Sequence, residues 1–374
     1  MSLFTVGQAS NLPPRRYTVR RFPGSAGAGT LRIECSHRRV RRDIMDCLKL
    51  AMVAHEARGT SINVKTKDII RLSLELAGGL SIGQQALSQV RFDPDRGRGG
   101  GVAPASRCLH CFLVEAQRRW LTGMLRRGGL TSVFQPIVRC GTNEVFGFEA
   151  LMRGEDAGRL IAPERLLAAA RETGLTLQLD RHACSTAVAE AARHRVNTKL
   201  FVNVTPSAFN GEERGVPGAL RALEQLQLSP HQIVFELVES EPVADWKKLR
   251  KILGRYRECG FQVALDDFGV AYSSPDTLYE LRPDFVKLDR TLISGVHLNG
   301  CRAALTGKLI EAAREFGARI IAEGVESAGE YNWTCERGVD YAQGFYISKP
   351  ATPPPFMNAK PQAGHFSDAR AATG

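Results

Sequence analysis

No apolar run in these 374 residues approaches the roughly 20 needed to cross a bilayer. The longest candidate, Ile44 to Val53, is interrupted by Asp46 and Lys49, so no membrane span is expected. The N-terminal arginines have no apolar segment behind them of the kind a secretory signal carries, and the expected compartment is the cytoplasm. Cysteine is too sparse for a disulfide framework: the nine are an odd number, and Cys140, Cys184, Cys259, Cys301 and Cys335 are widely scattered, as reduced, half-buried thiols are. No GxGxxG follows the first strong strand signal, which weakens a dinucleotide-binding reading. What remains is ordinary globular composition, 43% hydrophobic and 24% charged, in a length that allows two or three domains or one barrel with an extension.

Charge is unevenly spread. Residues 1–130 hold 22 Lys/Arg against 9 Asp/Glu, and the remainder 28 against 30, so the whole positive excess lies in the N-terminal third. Such a region can meet nucleic acid, a protein or an anionic surface, or simply be solvated. Residues 1–30 are rich in Arg, Pro, Gly and Ser and are expected to form a disordered basic arm. Residues 31–92 carry helical spacing at 40–58 and 66–90, and are expected to form a small, mostly helical region. Residues 93–107 form a Gly/Pro-rich linker, and 108–130 a connecting helix. Residues 62–77 (INVKTKDIIRLSLELA) read as a strand then a helix, which fits a ribbon-helix or helix-turn-helix DNA contact or a sensory, dimerising segment. Cys108 and Cys111 make one CxxC around His110. A zinc site needs four ligands and no second CxxC exists, so free thiols are the default expectation.

From Thr131 short β-branched runs alternate with helical stretches. The strand candidates are Ser132–Val138, Val145–Met152, Lys199–Val204, Gln232–Leu237, Phe261–Asp266, Asp284–Leu288, Arg319–Ala322 and Tyr341–Tyr346. Helical patterns lie between them, among them Pro163–Thr173, Asp180–His194, Val243–Cys259 and Asn299–Phe316. This alternation implies parallel strands with crossover helices. Eight strands in about 225 residues match a TIM-like (β/α)8 barrel over 131–352, with an open doubly wound sheet as the rival. The overall class is α/β, and residues 353–374, opening on three prolines, are expected to be a disordered tail.

The main chemical signal is where polar residues fall. Glu149, Asn203, Glu236, Asp266-Asp267, Lys287, Glu323 and Gln343 each stand at or near the C-terminal end of an apolar strand. In a barrel these ends share one mouth, where barrel enzymes keep their active sites. Singly, a carboxylate there is most often a helix cap or a surface pair. Five carboxylates and an amide oxygen together would repel strongly unless divalent cations lie among them. An all-oxygen set favours Mg²⁺ or Mn²⁺ over zinc.

At these residues the sequence resembles the EAL-domain family of cyclic di-GMP phosphodiesterases, from about Thr131 to Pro350. Glu149-Ala150-Leu151 with Arg153 carries the name motif, and Phe134–Ile137 matches the opening strand. Asn203, FELVES (235–240), DDFG (266–269), VKLDR (286–290), AEGVES (322–327) and QGFYISKP (343–350) follow in order. The resemblance implies two Mg²⁺ or Mn²⁺ ions held by Glu149, Asn203, Glu236, Asp266, Asp267 and Glu323. It implies Glu323 as general base, with Lys287 and Glu149 also catalytic. It implies Gln135, Leu151, Arg153 and Gln343 as substrate contacts, and Glu239, Asp289 and Glu326 as supports. The implied reaction cleaves one bond of cyclic di-GMP to linear pGpG, and the implied assembly is a homodimer. No GGDEF-type cyclase motif precedes the barrel.

The sequence departs from the family pattern after DDFG. Val270 removes a hydroxyl, Ala271 replaces a glycine, and Pro275 removes a backbone donor. Val238 stands for a threonine. The ligand set is intact, so hydrolysis is the expected activity. A receptor for cyclic di-GMP without turnover, or a barrel that regulates a protein partner, is the alternative.

Overall fold

The computed structural model describes residues 29–94, 106–156, 158–209, 216–237, 243, 245–269 and 275–356. They divide into two compact units, one of residues 29–129 with 161–176, the other of 130–160 with 177–356.

The first unit opens with β1 (Gly29–Glu34), α1 (Arg38–Leu50), β2 (His55–Arg58), β3 (Ser61–Thr66), α2 (Ile69–Gly79), α3 (Ile82–Ala86), β4 (Gln89–Pro94), β5 (Arg107–Cys108) and α4 (Leu109–Arg126). Its strands form one antiparallel sheet in the order β2-β3-β1-β4-β5. On β1, Leu31 and Ile33 are buried while Arg32 and Glu34 are exposed, the period of two that a one-sided sheet imposes. The buried face packs on Val40, Ile44 and Leu48 of α1, Leu72 and Leu76 of α2 and Phe112 of α4. Asp68 caps α2 by accepting from the amides of Ile70 and Arg71.

This corrects the expectation of a mostly helical region. The helices are present, but β1, β2 and β4 have only 6, 4 and 6 residues, and a polar run such as His-Glu-Ala-Arg in β2 carries no periodic apolar signal. The expected arm runs into β1 at Gly29, and its other residues lie outside those described, as do 95–105 of the linker and 357–374 of the tail. The ribbon-helix reading fails, because β3 pairs on both edges and offers none to a second chain. Cys108 stands at the N-cap position of α4 without a side-chain capping bond, Cys111 is exposed, and none of the nine cysteines is in a disulfide.

The barrel strands begin with β6 (Leu130–Arg139), β7 (Val145–Asp156) and β8 (Arg159–Ile161), followed by α5 (Pro163–Thr173). Although α5 falls inside the expected barrel segment, it clusters with the first unit. There Gln117 of α4 donates to Glu172 at 2.7 Å and Arg165 pairs with Glu75 at 3.3 Å. The second unit continues through α6 (Thr176–Arg193), β9 (Lys199–Val204), α7 (Val216–Gln225), β10 (Ile233–Leu237), α8 (Trp246–Glu258), β11 (Gln262–Phe268), α9 (Pro275–Leu281), β12 (Phe285–Leu288), α10 (Arg290–Ile293), α11 (Gly300–Glu315), β13 (Arg319–Ala322), α12 (Ala328–Glu336) and β14 (Tyr341–Ala342). The order β6-β14-β13-β12-β11-β10-β9-β7 closes through β6–β7 pairing, a TIM-like eight-stranded barrel. Not every strand is parallel, as the alternation had implied. β6 runs antiparallel to both neighbours, because only residues 140–144 join it to β7 and a crossover helix cannot fit there.

The lumen is layered. Ile137, Phe201, Val234, Ala264, Phe285, Ile321 and Tyr341, one from each of seven strands, form a buried apolar layer with Phe146 against it. Below it, Arg319 stands 4.1 Å from the Phe285 ring centre and Phe146 stacks on Tyr341. Replacing Arg319 with Met is expected to cost about 1 kcal/mol in urea unfolding, the size of a partly buried cation–π contact. No loss would assign closure of this end to the apolar layer alone.

Candidate functional site

Side chains two residues apart on a strand share a face. Two positions beyond the apolar layer therefore come Asn203 after Phe201, Glu236 after Val234, Asp266 after Ala264, Lys287 after Phe285, Glu323 after Ile321 and Gln343 after Tyr341. Gln135 lies two before Ile137, as the reversed β6 requires, and pairs across from Glu149 of β7. The barrel thus has an apolar floor and one polar layer on top of it.

Lys287 occupies the centre of that layer. Its Nζ lies 2.6 Å from Glu323, 2.8 Å from Glu236, 3.2 Å from Asp266 and 3.4 Å from Glu149. Asn203 Nδ2 donates to Glu149 Oε1 at 3.0 Å, and Gln343 Nε2 donates to Glu149 Oε2 at 2.6 Å and to Gln135 Oε1 at 3.0 Å. Gln135 in turn donates to the Ser348 carbonyl at 3.1 Å. Gly344 keeps Gln343 against the segment after Glu323, since a Cβ there would run into the Val325 backbone.

Strand alternation alone would turn Asp267 away from Asp266. Instead the β11–β12 register shifts between Leu265 and Phe268, and Asp267 adopts φ +54°, a left-handed conformation uncommon outside glycine and Asn/Asp. This bulge brings carboxylate oxygens of Asp266, Asp267 and Glu323 within 4.8 Å of one another. It is the one such grouping of metal-ligating side chains among the described residues.

Four carboxylates around one ammonium leave an excess of negative charge. Burial, then Glu149 and Asp266, push Glu236 well above the usual carboxyl range despite Lys287. Burial also raises Asp266 and Glu323. Burial pushes Glu149 the same way, but Lys287, Gln343 and Asn203 outweigh it and hold that carboxyl low. Lys287 loses from burial yet is held far above its ordinary value by the four acids. Glu236 Oε2 and Gln343 Oε1 are buried without a hydrogen-bond partner among the described residues, and Glu236 Oε1 and Asp266 Oδ1 meet the ammonium outside hydrogen-bond geometry. Clustered oxygens that are both anionic and unsatisfied fit hard divalent cations.

Asp267 sits at about 6, raised by burial and by the charges of Asp266 and Asp289. Its folded value exceeds the roughly 4 of a free carboxyl, so its contribution to stability is lost as pH rises from about 4 through about 6. In urea unfolding with EDTA, Asp267→Asn is expected to gain on wild type between about pH 5 and pH 7.5. A difference that stays constant over that window would contradict the shift.

The other expected site residues are more dispersed. Leu151 is half-buried on β7, and Arg153 donates to the Met152 carbonyl at 2.8 Å. Asp289 caps α10, and Glu326 is exposed and paired with Arg290 at 3.0 Å. Glu239, Val238, Val270 and Ala271 lie outside the described residues. Two anchors went unread in the sequence. Glu330 accepts from the amides of Gly295, Glu326 and Ser327, and the Ser327-x-x-Glu330 spacing is a capping-box signature that could have revealed it. Asp180 bonds Thr205 just past Asn203, a tertiary contact without a local signal.

The EAL domain family model matches residues 118–350. The chain is 32% identical over 222 residues to the Probable cyclic di-GMP phosphodiesterase PdeB of Escherichia coli (strain K12), covering 58% of this chain and 42% of that one. It is 31% identical over 240 residues to Cyclic di-GMP phosphodiesterase PdeR of the same strain, covering 62% and 36%. It thus spans less than half the length of these curated relatives. Among solved structures it resembles a standalone versatile EAL protein from Vibrio cholerae O395 in its c-di-GMP bound form, with TM-score 0.53 and 32% identity over 59% of this chain and 92% of that one.

Proposed function

Since this chain belongs to the EAL domain family, we propose that it hydrolyses one phosphodiester bond of cyclic di-GMP to linear pGpG with two Mg²⁺ or Mn²⁺ ions. The proposed ligands are Glu149, Asn203, Glu236, Asp266, Asp267 and Glu323. The observation that carries the reading is the packing of four buried or half-buried carboxylates around the single Lys287 ammonium, an imbalance that divalent cations relieve. When bound, such ions supply charge neutralisation at the phosphoryl group and Lewis-acid activation of water.

The chain's own groups do the rest. Glu323, whose carboxyl burial and the acidic neighbours Asp266 and Glu149 raise well above the usual range despite Lys287, takes the proton of the attacking water. Lys287 offsets negative charge as it develops on the phosphoryl oxygens. Arg153 presents a planar guanidinium to phosphate, while Gln135, Leu151 and Gln343 line the dinucleotide. Glu239, Asp289 and Glu326 are the supporting residues of this reading. A homodimer is part of the reading, and sedimentation checks it.

A second reading, binding without turnover, is favoured by one observation: Val270, Ala271 and Pro275 depart from the family pattern directly after Asp266-Asp267. One assay separates the two. Purified protein is incubated with cyclic di-GMP with and without Mn²⁺, and pGpG and bound nucleotide are quantified. Metal-dependent pGpG supports hydrolysis. Bound, intact nucleotide supports the receptor, and no binding overturns both.

A further inference from the structure

The inner stripe of α6 is otherwise apolar. Leu179, Cys184, Ala187, Val188 and Ala191 are buried on it, and so is Asp180, only 7% exposed. A carboxylate among such neighbours is costly unless it is hydrogen-bonded, and an apolar residue would fill the place with less loss. Asp180 Oδ2 accepts from both the hydroxyl and the backbone amide of Thr205, the latter at 3.4 Å, and Thr205 is itself 8% exposed. Thr205 is the first residue beyond β9, where the parallel ladder with β10 ends at Val204–Leu237. The chain then turns into the short helix 206–209, with the Ala208 amide bonded to the Thr205 carbonyl at 2.9 Å.

Two residues before Thr205, in the last pleat of β9, stands Asn203. It bonds Glu149 at 3.0 Å and is the register partner of Glu236. The Asp180 contact therefore ties off the strand end that carries Asn203, and it does so at the first position where the ladder no longer can.

We propose that Asp180 is a positioning residue of the site, acting through Thr205 to hold Asn203 in the geometry that cation binding requires. The inference builds on the metal-dependent reading above. Asp180 touches neither substrate nor cation. It fixes the backbone turn that sets where the Asn203 amide points, as outer hydrogen bonds orient metal ligands elsewhere.

The test uses the full chain and the variants Thr205→Val, Thr205→Ser and Asp180→Ala. Mn²⁺ affinity is measured by calorimetry, folding by circular dichroism, and the Asn203 side-chain amide by NMR of the metal-free, nitrogen-15-labelled protein. Thr205→Val is expected to weaken Mn²⁺ binding about 10–100-fold, the usual loss for such a contact, and to shift the Asn203 amide signals. Thr205→Ser, which keeps the hydroxyl, is expected to behave as wild type. Adding Asp180→Ala to Thr205→Val is expected to cost little more than either alone, because both break one contact. If Asp180→Ala does not fold, Thr205→Val decides. A folded Thr205→Val with wild-type Mn²⁺ affinity and unmoved Asn203 signals overturns the proposal. Failure of the hydrolase reading would look different: wild type would bind Mn²⁺ without releasing pGpG, while Thr205→Val still shifted the amide.

Discussion

Glu149→Gln is expected to lower the rate of pGpG formation by about 10³-fold or more, because loss of an anionic group at the charged centre costs several kcal/mol of transition-state stabilisation. Glu149 is the acid of the central four that its surroundings hold ionised. Burial opposes the charge, but Lys287 at 3.4 Å, Gln343 at 2.6 Å and Asn203 at 3.0 Å overcome it. Glutamine keeps the shape and removes the charge, and its amide group would face two amide donors. The effect should be separable from stability. With EDTA present, a carboxyl held low by its partners stabilises the fold at neutral pH, so the melting temperature should fall somewhat, and rates are compared well below both melts. Initial rates by chromatography, beside thermal melts, check both halves. A variant within about tenfold of wild type would remove Glu149 from the chemistry.

Lys287→Met should produce the largest change in stability. The ammonium is 1% exposed and lies within 3.4 Å of four carboxylates. Removing one partner of a buried ion pair costs about 3–5 kcal/mol, because the remaining charge is stranded. For a barrel of this size that corresponds to a fall of about 6–20 °C in its melting transition. The sign with pH follows from the raised acids. Burial and neighbouring acids already raise the carboxyls of Glu236, Asp266 and Glu323 in the native protein despite Lys287, and without Lys287 they would rise further. The variant should therefore be weakest at about pH 7.5 and recover towards pH 5. Mn²⁺ should stabilise it more than it stabilises wild type, since the cations replace a lost positive charge. Calorimetry at both pH values, with EDTA and with Mn²⁺, reads this directly. A loss independent of pH and of metal would mean that Lys287 matters only as packing volume.

The barrel and the polar layer were legible because their signals are periodic. Phe201-x-Asn203, Val234-x-Glu236, Phe285-x-Lys287 and Tyr341-x-Gln343 each pair an apolar lumen residue with a polar one two positions on. Once strands are assigned, that spacing stacks all the polar groups in one layer. The helix over Pro163–Thr173 was bounded in sequence as it stands in the fold, with Pro at its start and Gly174 in left-handed conformation at its end, the expected punctuation. Its clustering with the first unit was not legible, since that depends on Arg165 and Glu172 meeting residues 55 or more positions away.

Three further features were closed to the sequence for physical reasons. The neighbouring pair Asp266-Asp267 signalled a counter-charge, but the bulge that turns both towards Glu323 is set by the β12 register, a tertiary property. The antiparallel β6 needed the length of its turn to be weighed against the alternation pattern. The sheet of the first unit is built from strands too short and too polar to show a period, and its order joins β1 to β3 and β4 across intervening helices.

Manganese titration of the metal-free full chain, followed by electron paramagnetic resonance, tests most directly whether this layer is a cation site. About two Mn²⁺ ions per chain with spin coupling between them is the expected outcome for neighbouring metals in a phosphodiesterase centre, with both lost in Glu236→Gln/Asp266→Asn. A wild-type spectrum showing only free aqueous Mn²⁺ would mean that Lys287 alone balances these acids and that the site was not built for metal.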